Sequence, residues 1–211
     1  GSLIAPRVVL SAAHCKQPGT TIDVAIGRHD LRDIQDGEVV PATTQIYHPD
    51  YDASKTDNDY MILILDRPTT EAVDYLKVNQ DFIEGDVPVT VVGYGDTFPG
   101  QSIKYPAPIM NHAEVFTLTN ELCNATTGTL GGTDSFGWNI GGVDESYEGM
   151  ITENHLCAGA DGKDGCYGDS GGPLVMTSDD TGDVSQVGLV SWGYGCAHPD
   201  FPGVYARISP A

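Results

Sequence analysis

Gly168-Asp169-Ser170-Gly171-Gly172-Pro173 sets one serine among three glycines and ahead of a proline. A serine hydroxyl is a poor nucleophile until a base takes its proton, and the oxyanion it creates needs donors aimed at it. Glycines on both sides let the backbone turn tightly, so that the N–H groups of Gly168 and Ser170 can supply those donors. Read alone, the string could also be a plain turn. Six residues upstream lies an acid in Lys163-Asp164-Gly165-Cys166, and downstream come Ser191-Trp192-Gly193 and Gly203.

Two distant strings complete the pattern. Leu10-Ser11-Ala12-Ala13-His14-Cys15 follows an apolar run with small residues and places one histidine at a strand end. Asp57-Asn58-Asp59-Tyr60 precedes Met61-Ile62-Leu63-Ile64-Leu65 and sets an acid at the mouth of a buried strand. There Asp59 can hold the imidazole of His14 in the tautomer a general base requires. Together the three strings resemble the chymotrypsin/trypsin family of serine endopeptidases. Their order along the chain, His then Asp then Ser, excludes the subtilisin and α/β-hydrolase arrangements of the same triad.

The resemblance implies an all-β fold of two antiparallel six-stranded-type barrels with the cleft between them, the first incomplete at its N-terminus. Residues 1–78 would form the first, with His14 and Asp59, and residues 79–211 the second. It implies hydrolysis of peptide bonds after Arg, and after Lys, through His14, Asp59 and Ser170 as triad and an acyl-enzyme. Asp164 would lie at the floor of the pocket for the residue before the cut, where a buried carboxylate favours a cationic side chain. Gly193 and Gly203 would line that pocket, and Ser191-Trp192-Gly193 would pair with the substrate backbone. Gly165 stands where trypsins commonly carry a serine that helps hold an ammonium, which predicts Arg over Lys.

The same resemblance pairs Cys123 with Cys157 and Cys166 with Cys196. It leaves Cys15, the odd one of five, for a cysteine upstream of the first residue. In the family a freshly cleaved amino group pairs with the acid equivalent to Asp169, so a secreted, extracellular zymogen is implied. The chain starts after that terminus and ends at Ser209-Pro210-Ala211, before the family's closing helix, which predicts weak activity and low stability for these residues alone. Asn124-Ala125-Thr126 is a glycosylation sequon. The stretch Asp30 to Glu38 matches a loop that binds calcium in some trypsins; Asp30, Asp33, Asp36 and Glu38 could ligate it, or the loop is simply solvated. No other cofactor or metal is implied. Expected partners are protein or peptide substrates and proteinaceous inhibitors, with the protein a monomer.

The bulk numbers agree. Thirty acidic against ten basic residues give a net charge of -20, which repels nucleic acid and anionic membranes and attracts cations. Hydrophobic residues make up 40% of 211, enough for a core, and 26 glycines favour turns and short strands. No apolar run is long enough to span a membrane. Strands are predicted at Arg7-Val8-Val9-Leu10, Met61 to Leu65, Val87 to Val92 and Val187 to Val190, with a seam near 77–85. A short helix can open at Thr119 to Cys123, capped by Thr119 or Asn120. Residues 128–149, rich in Gly and acids, read as a long surface loop that is either inert or filters substrates. Besides an active digestive or processing peptidase, the sequence admits a narrow-target cascade enzyme and a non-catalytic relative; a substituted triad would mark the last, and all three residues are retained.

Overall fold

The computed structural model describes residues 1–97, 107–131 and 142–209. The first half is one antiparallel sheet built from β1 (Ser2–Ala5), β2 (Val8–Ser11), β3 (Ile22–Ile26), β4 (Glu38–Tyr47) and β5 (Met61–Leu65), in the order β1-β2-β5-β4-β3. β5 shows why the apolar run is a strand. Met61, Leu63 and Leu65 point to one face and are buried with Val9, Val40 and Ala42. Ile62, on the other face, packs in a cluster with Leu10 and with Leu189 and Ala206 from the second half. Period-two alternation therefore feeds two cores at once, one inside the sheet and one between the halves.

The second half contains β6 (Lys77–Val78), β7 (Pro88–Gly93), β8 (Asn111–Leu118), β9 (Thr127–Leu130), β10 (Val143–Ser146), β11 (His155–Gly159), β12 (Pro173–Thr177), β13 (Val184–Trp192) and β14 (Gly203–Arg207). Six of these run β12-β7-β8-β11-β14-β13, and β12 also pairs with β13, so the ring closes on itself. Closure removes the sheet edges and encloses a core of Val89, Val91, Val115, Leu156, Leu174 and Tyr205. Each such buried side chain contributes about 1.5–3 kcal/mol. The expected two-barrel, all-β fold is thus present as a closed six-stranded barrel and an open five-stranded one. β6 pairs in parallel with Ser185 and Gln186 of β13, so strand pairing joins Lys77 and Val78 to the second sheet.

The short helix forms as α1 (Asn120–Asn124), with Thr119 as its cap, accepting from Leu122 N at 3.2 Å. The stretch 128–149 is not simply a loop. Its ends, β9 and β10, pair as an antiparallel hairpin with Val143 opposite Leu130, which composition hid because Thr, Gly and acidic residues alternate there with few apolar ones. Residues 132–141 lie outside the described residues. Both implied disulfides are present, Cys123–Cys157 between α1 and β11 and Cys166–Cys196 between two loops, while Cys15 is free. Among the described residues no helix is long and apolar enough to cross a membrane.

Candidate active site

His14 sits in a 3-10 turn, Ala13–Cys15, directly after β2, and Asp59 lies two residues ahead of β5, the strand that pairs with β2. That pairing brings the two together although 45 residues separate them. Asp59 is fully buried. Its Oδ1 accepts from His14 N at 2.8 Å and its Oδ2 lies 2.7 Å from His14 Nδ1. Ser191 Oγ, from the end of β13, donates to Oδ2 at 2.5 Å. A buried carboxylate is costly unless its lone pairs are filled, and three donors fill them here. The Asp59 bond first and the Cys15 sulfur second raise the His14 pKa to about 10 against the opposing effect of burial. With Nδ1–H facing Asp59, Nε2 is the ring atom left to exchange a proton.

Ser170 lies in the turn leading to β12. Gly168 (φ 96°) and Gly171 (φ 72°) adopt left-handed backbone there, which a side chain resists. The turn presses on the histidine segment: a Cβ on Gly171 would come 2.4 Å from Ser11 Oγ and 2.9 Å from Ala12 N. Asp169 N and Gly172 N bond within the turn and Gly171 N donates to Val190 O. The N–H groups of Gly168 and Ser170 have no protein acceptor among the described residues. Both donors are therefore left free to bind a ligand atom. No hydrogen bond joins Ser170 Oγ to the His14 ring among the described residues.

A cavity of about 260 Å³ is lined by Ser170 together with Asp164, Gly165, Ser191, Trp192, Gly193 and Gly203. The residues predicted to form the specificity pocket therefore border one cavity with Ser170, while His14 and Gly168 do not line it. Asp164 Oδ2 accepts from Ala197 N at 3.2 Å, and Tyr205 OH stands 3.5 Å from Oδ1. Burial first, and the Asp169 charge after it, push the Asp164 pKa up to about 7 against the hydrogen bonds it accepts. A Cβ on Gly203 would collide with Asp164 Oδ1 and push that carboxylate aside, whereas a Cβ on Gly165 meets nothing closer than 3.4 Å.

Asp164 also lines a second cavity of about 250 Å³, shared with Asp169, Gly93 and Gly95. Asp169 Oδ1 accepts from Gly95 N at 2.7 Å and Oδ2 from Cys166 N at 3.0 Å. Cβ atoms on Gly93 or Gly95 would collide with this carboxylate at 1.9 and 2.3 Å.

A family model described as Trypsin matches residues 1–211. The chain belongs to the trypsin family. It is 34% identical to a trypsin of Squalus acanthias over 99% of this chain and 80% of that protein. It is likewise 34% identical to trypsin-2 of Salmo salar, over 99% of this chain and 79% of that one. Among solved structures it is similar to neuropsin, a serine protease expressed in the limbic system of mouse brain. The TM-score is 0.78 at 29% identity, over 98% of this chain and 82% of that one. As a trypsin-family member the protein is a serine endopeptidase, a hydrolase that acts on protein substrates.

Within this trypsin-family site, Ser191 does more than its motif suggested, since its hydroxyl binds Asp59. Gly93 and Gly95 were not singled out at all, although a Gly-x-Gly step at the end of an apolar strand is a signal for close backbone approach. The candidate calcium set does not converge. Asp30 is held by the Arg32 guanidinium at 2.6 Å, which lowers its pKa to about 2. Glu38 pairs with Arg67 at 2.6 Å and accepts from Thr69 and Thr70. Asp36 and Asp33 accept from backbone N–H groups of His29 and Gln35. Among the described residues no group of three or more His, Cys, Asp or Glu side chains is placed to hold a metal ion.

Proposed function

We propose that the protein is a secreted peptidase, made as a zymogen, that cleaves after arginine in preference to lysine through Ser170, His14 and Asp59. The observation that carries this reading is a cavity lined by both Ser170 and Asp164. In the proposed cycle His14 Nε2 takes the Ser170 proton as Oγ attacks the scissile carbonyl. The N–H groups of Gly168 and Ser170 receive the oxyanion, and Asp59 stabilises the imidazolium. His14 then protonates the leaving amine, and water hydrolyses the acyl-enzyme by the same steps in reverse.

Asp164 supplies specificity. A guanidinium satisfies its buried carboxylate with parallel hydrogen bonds, while an apolar side chain leaves it unpaired. Asp169 is proposed to receive the new amino terminus, for which the cavity beside Gly93 and Gly95 offers room. The two disulfides suit an oxidising compartment, and Asn124 is the proposed glycan acceptor.

Matched Arg and Lys peptide substrates test the specificity. The expected kcat/KM ratio favours Arg, and Gly165→Ser shifts it toward Lys by about tenfold, the worth of one hydrogen bond to a charged group. A parent enzyme that prefers Lys overturns the Arg preference, and one that prefers apolar residues overturns the role of Asp164.

A further inference from the structure

Two of the three residues before Asp59, Thr56 and Asp57, are held from the other barrel. Thr56 and Asn58 both have left-handed backbone, with φ 54° and 52°, an unfavourable choice for a β-branched threonine that persists only where surroundings enforce it. A two-way backbone pairing of Asp57 with Asp52, at 3.0 Å each way, closes the turn locally. Asn58 is held locally, its Nδ2 donating to Asp50 O at 3.3 Å, while Thr56 and Asp57 take contacts from the segment entering β11. Thr152 Oγ1 donates to Asp57 Oδ1 at 2.8 Å and Asn154 Nδ2 donates to the same oxygen at 3.1 Å. His155, fully buried, lies with Nε2 3.2 Å from Thr56 O, and its Nδ1 accepts from Thr152 N at 3.1 Å.

The tautomer follows from these partners. A backbone N–H can only donate, so Nδ1 is the acceptor and Nε2 carries the hydrogen that Thr56 O receives. The ring is neutral, and burial, which lowers its pKa, keeps it so. The Trp192 ring contacts it edge-on, with centroids 5.9 Å apart, and its own carbonyl accepts from the buried Arg207 Nε at 3.1 Å. The imidazole is therefore fixed on the second-barrel side, and the first-barrel turn hangs from it.

We infer that Thr152, Asn154 and His155 form an interbarrel latch on Thr56 and Asp57 that positions Asp59 for its bond to His14. The residues act through Asp59 and touch no reacting atom. The inference rests on the proposed role of Asp59, so its test carries a readout that needs no turnover. That readout is the far-downfield proton resonance of the His14–Asp59 hydrogen bond, alongside kcat and KM on an Arg substrate and labelling of Ser170 by a phosphonylating reagent.

Asp57→Ala is expected to shift or broaden the resonance and to lower kcat about tenfold with KM nearly unchanged, since small misplacements of a reacting group act on the rate. Asp57→Asn, which keeps an acceptor oxygen for Thr152 and Asn154, is expected to restore both. If Asp57→Ala does not fold, Thr152→Val, which removes one hydroxyl, should move the resonance the same way by less. A folded Asp57→Ala or Thr152→Val protein with resonance and kcat as in the parent overturns the latch, as does a change confined to KM. A parent protein that is not labelled at Ser170 defeats the peptidase mechanism instead, and the resonance still tests the latch.

Discussion

The two barrels hold their functional groups by different means. The second closes its hydrogen-bonded ring, carries both disulfides, and fixes Ser170 and Asp164 on turns that it braces itself. The first is an open sheet, and its contribution to the site leans on its neighbour. Asp59 takes a hydrogen bond from Ser191, Asp57 from Thr152 and Asn154, and the Tyr60 hydroxyl donates to Arg207 O. Tyr94 reaches the other way, donating to Arg28 O at 2.5 Å. A closed barrel can present a rigid turn unaided. An open sheet places a buried acid accurately only when a second body finishes its shell of donors.

The sharpest way to break this contrast is to remove one group from each side. Ser170→Ala deletes the nucleophile and is expected to lower kcat by about a million-fold. Asp59→Asn keeps the shape but disturbs the imidazole and is expected to cost about ten-thousand-fold. Steady-state kinetics with an Arg ester measures both, and equal losses would mean that the open side contributes more than orientation. Next comes Gly203→Ala, which drives a methyl into Asp164 within the closed barrel. About a hundred-fold loss of kcat/KM on Arg substrates is expected, with the Ser170 labelling rate by a small phosphonylating reagent unchanged, because the fault stays in the pocket.

A smaller effect separates the barrels by pH. Asp164, with its pKa raised to about 7, is neutral below that value and cannot pair with a cation. Inhibition by benzamidine, a small aromatic amidine, should strengthen about tenfold per pH unit as pH rises toward 7 and level off above it. His14, raised to about 10, must lose its proton to act as base, so kcat/KM should continue to climb well above pH 7. The stability terms have the same sign, both weakening as pH rises, but in different windows. The buried Asp164 favours the folded state less as pH rises from the ordinary carboxylate range to 7. The stabilisation from His14 is complete below about 6.5 and fades toward 10. Benzamidine affinity that keeps improving to pH 10 would merge the two titrations and undo the assignment.

Much of this was legible in the residues. The apolar run Met61–Leu65, the run around Val87–Val92 and the glycines about Ser170 are local patterns with local causes, and they became strands and a turn as expected. What escaped reading joins positions far apart in the chain. Nothing near Ser191 announces that its hydroxyl meets Asp59, 132 residues away, nor does His155 signal its hold on Thr56. The β9–β10 hairpin was missed for another reason. It has one solvent-facing ladder and few apolar side chains, so its backbone pairing leaves almost no hydrophobic period to detect.

One carboxylate, Asp164, forms the party wall between two chambers, with Asp169 in the far one. The negative charge of Asp169 makes Asp164 harder to ionise. Any cation lodged against Asp169 would relieve that repulsion and make Asp164 a better host, and a cation bound at Asp164 must favour the first guest by the same factor, as thermodynamic reciprocity demands. Electrostatics alone therefore gives the two chambers a means of conversing, with no moving part between them.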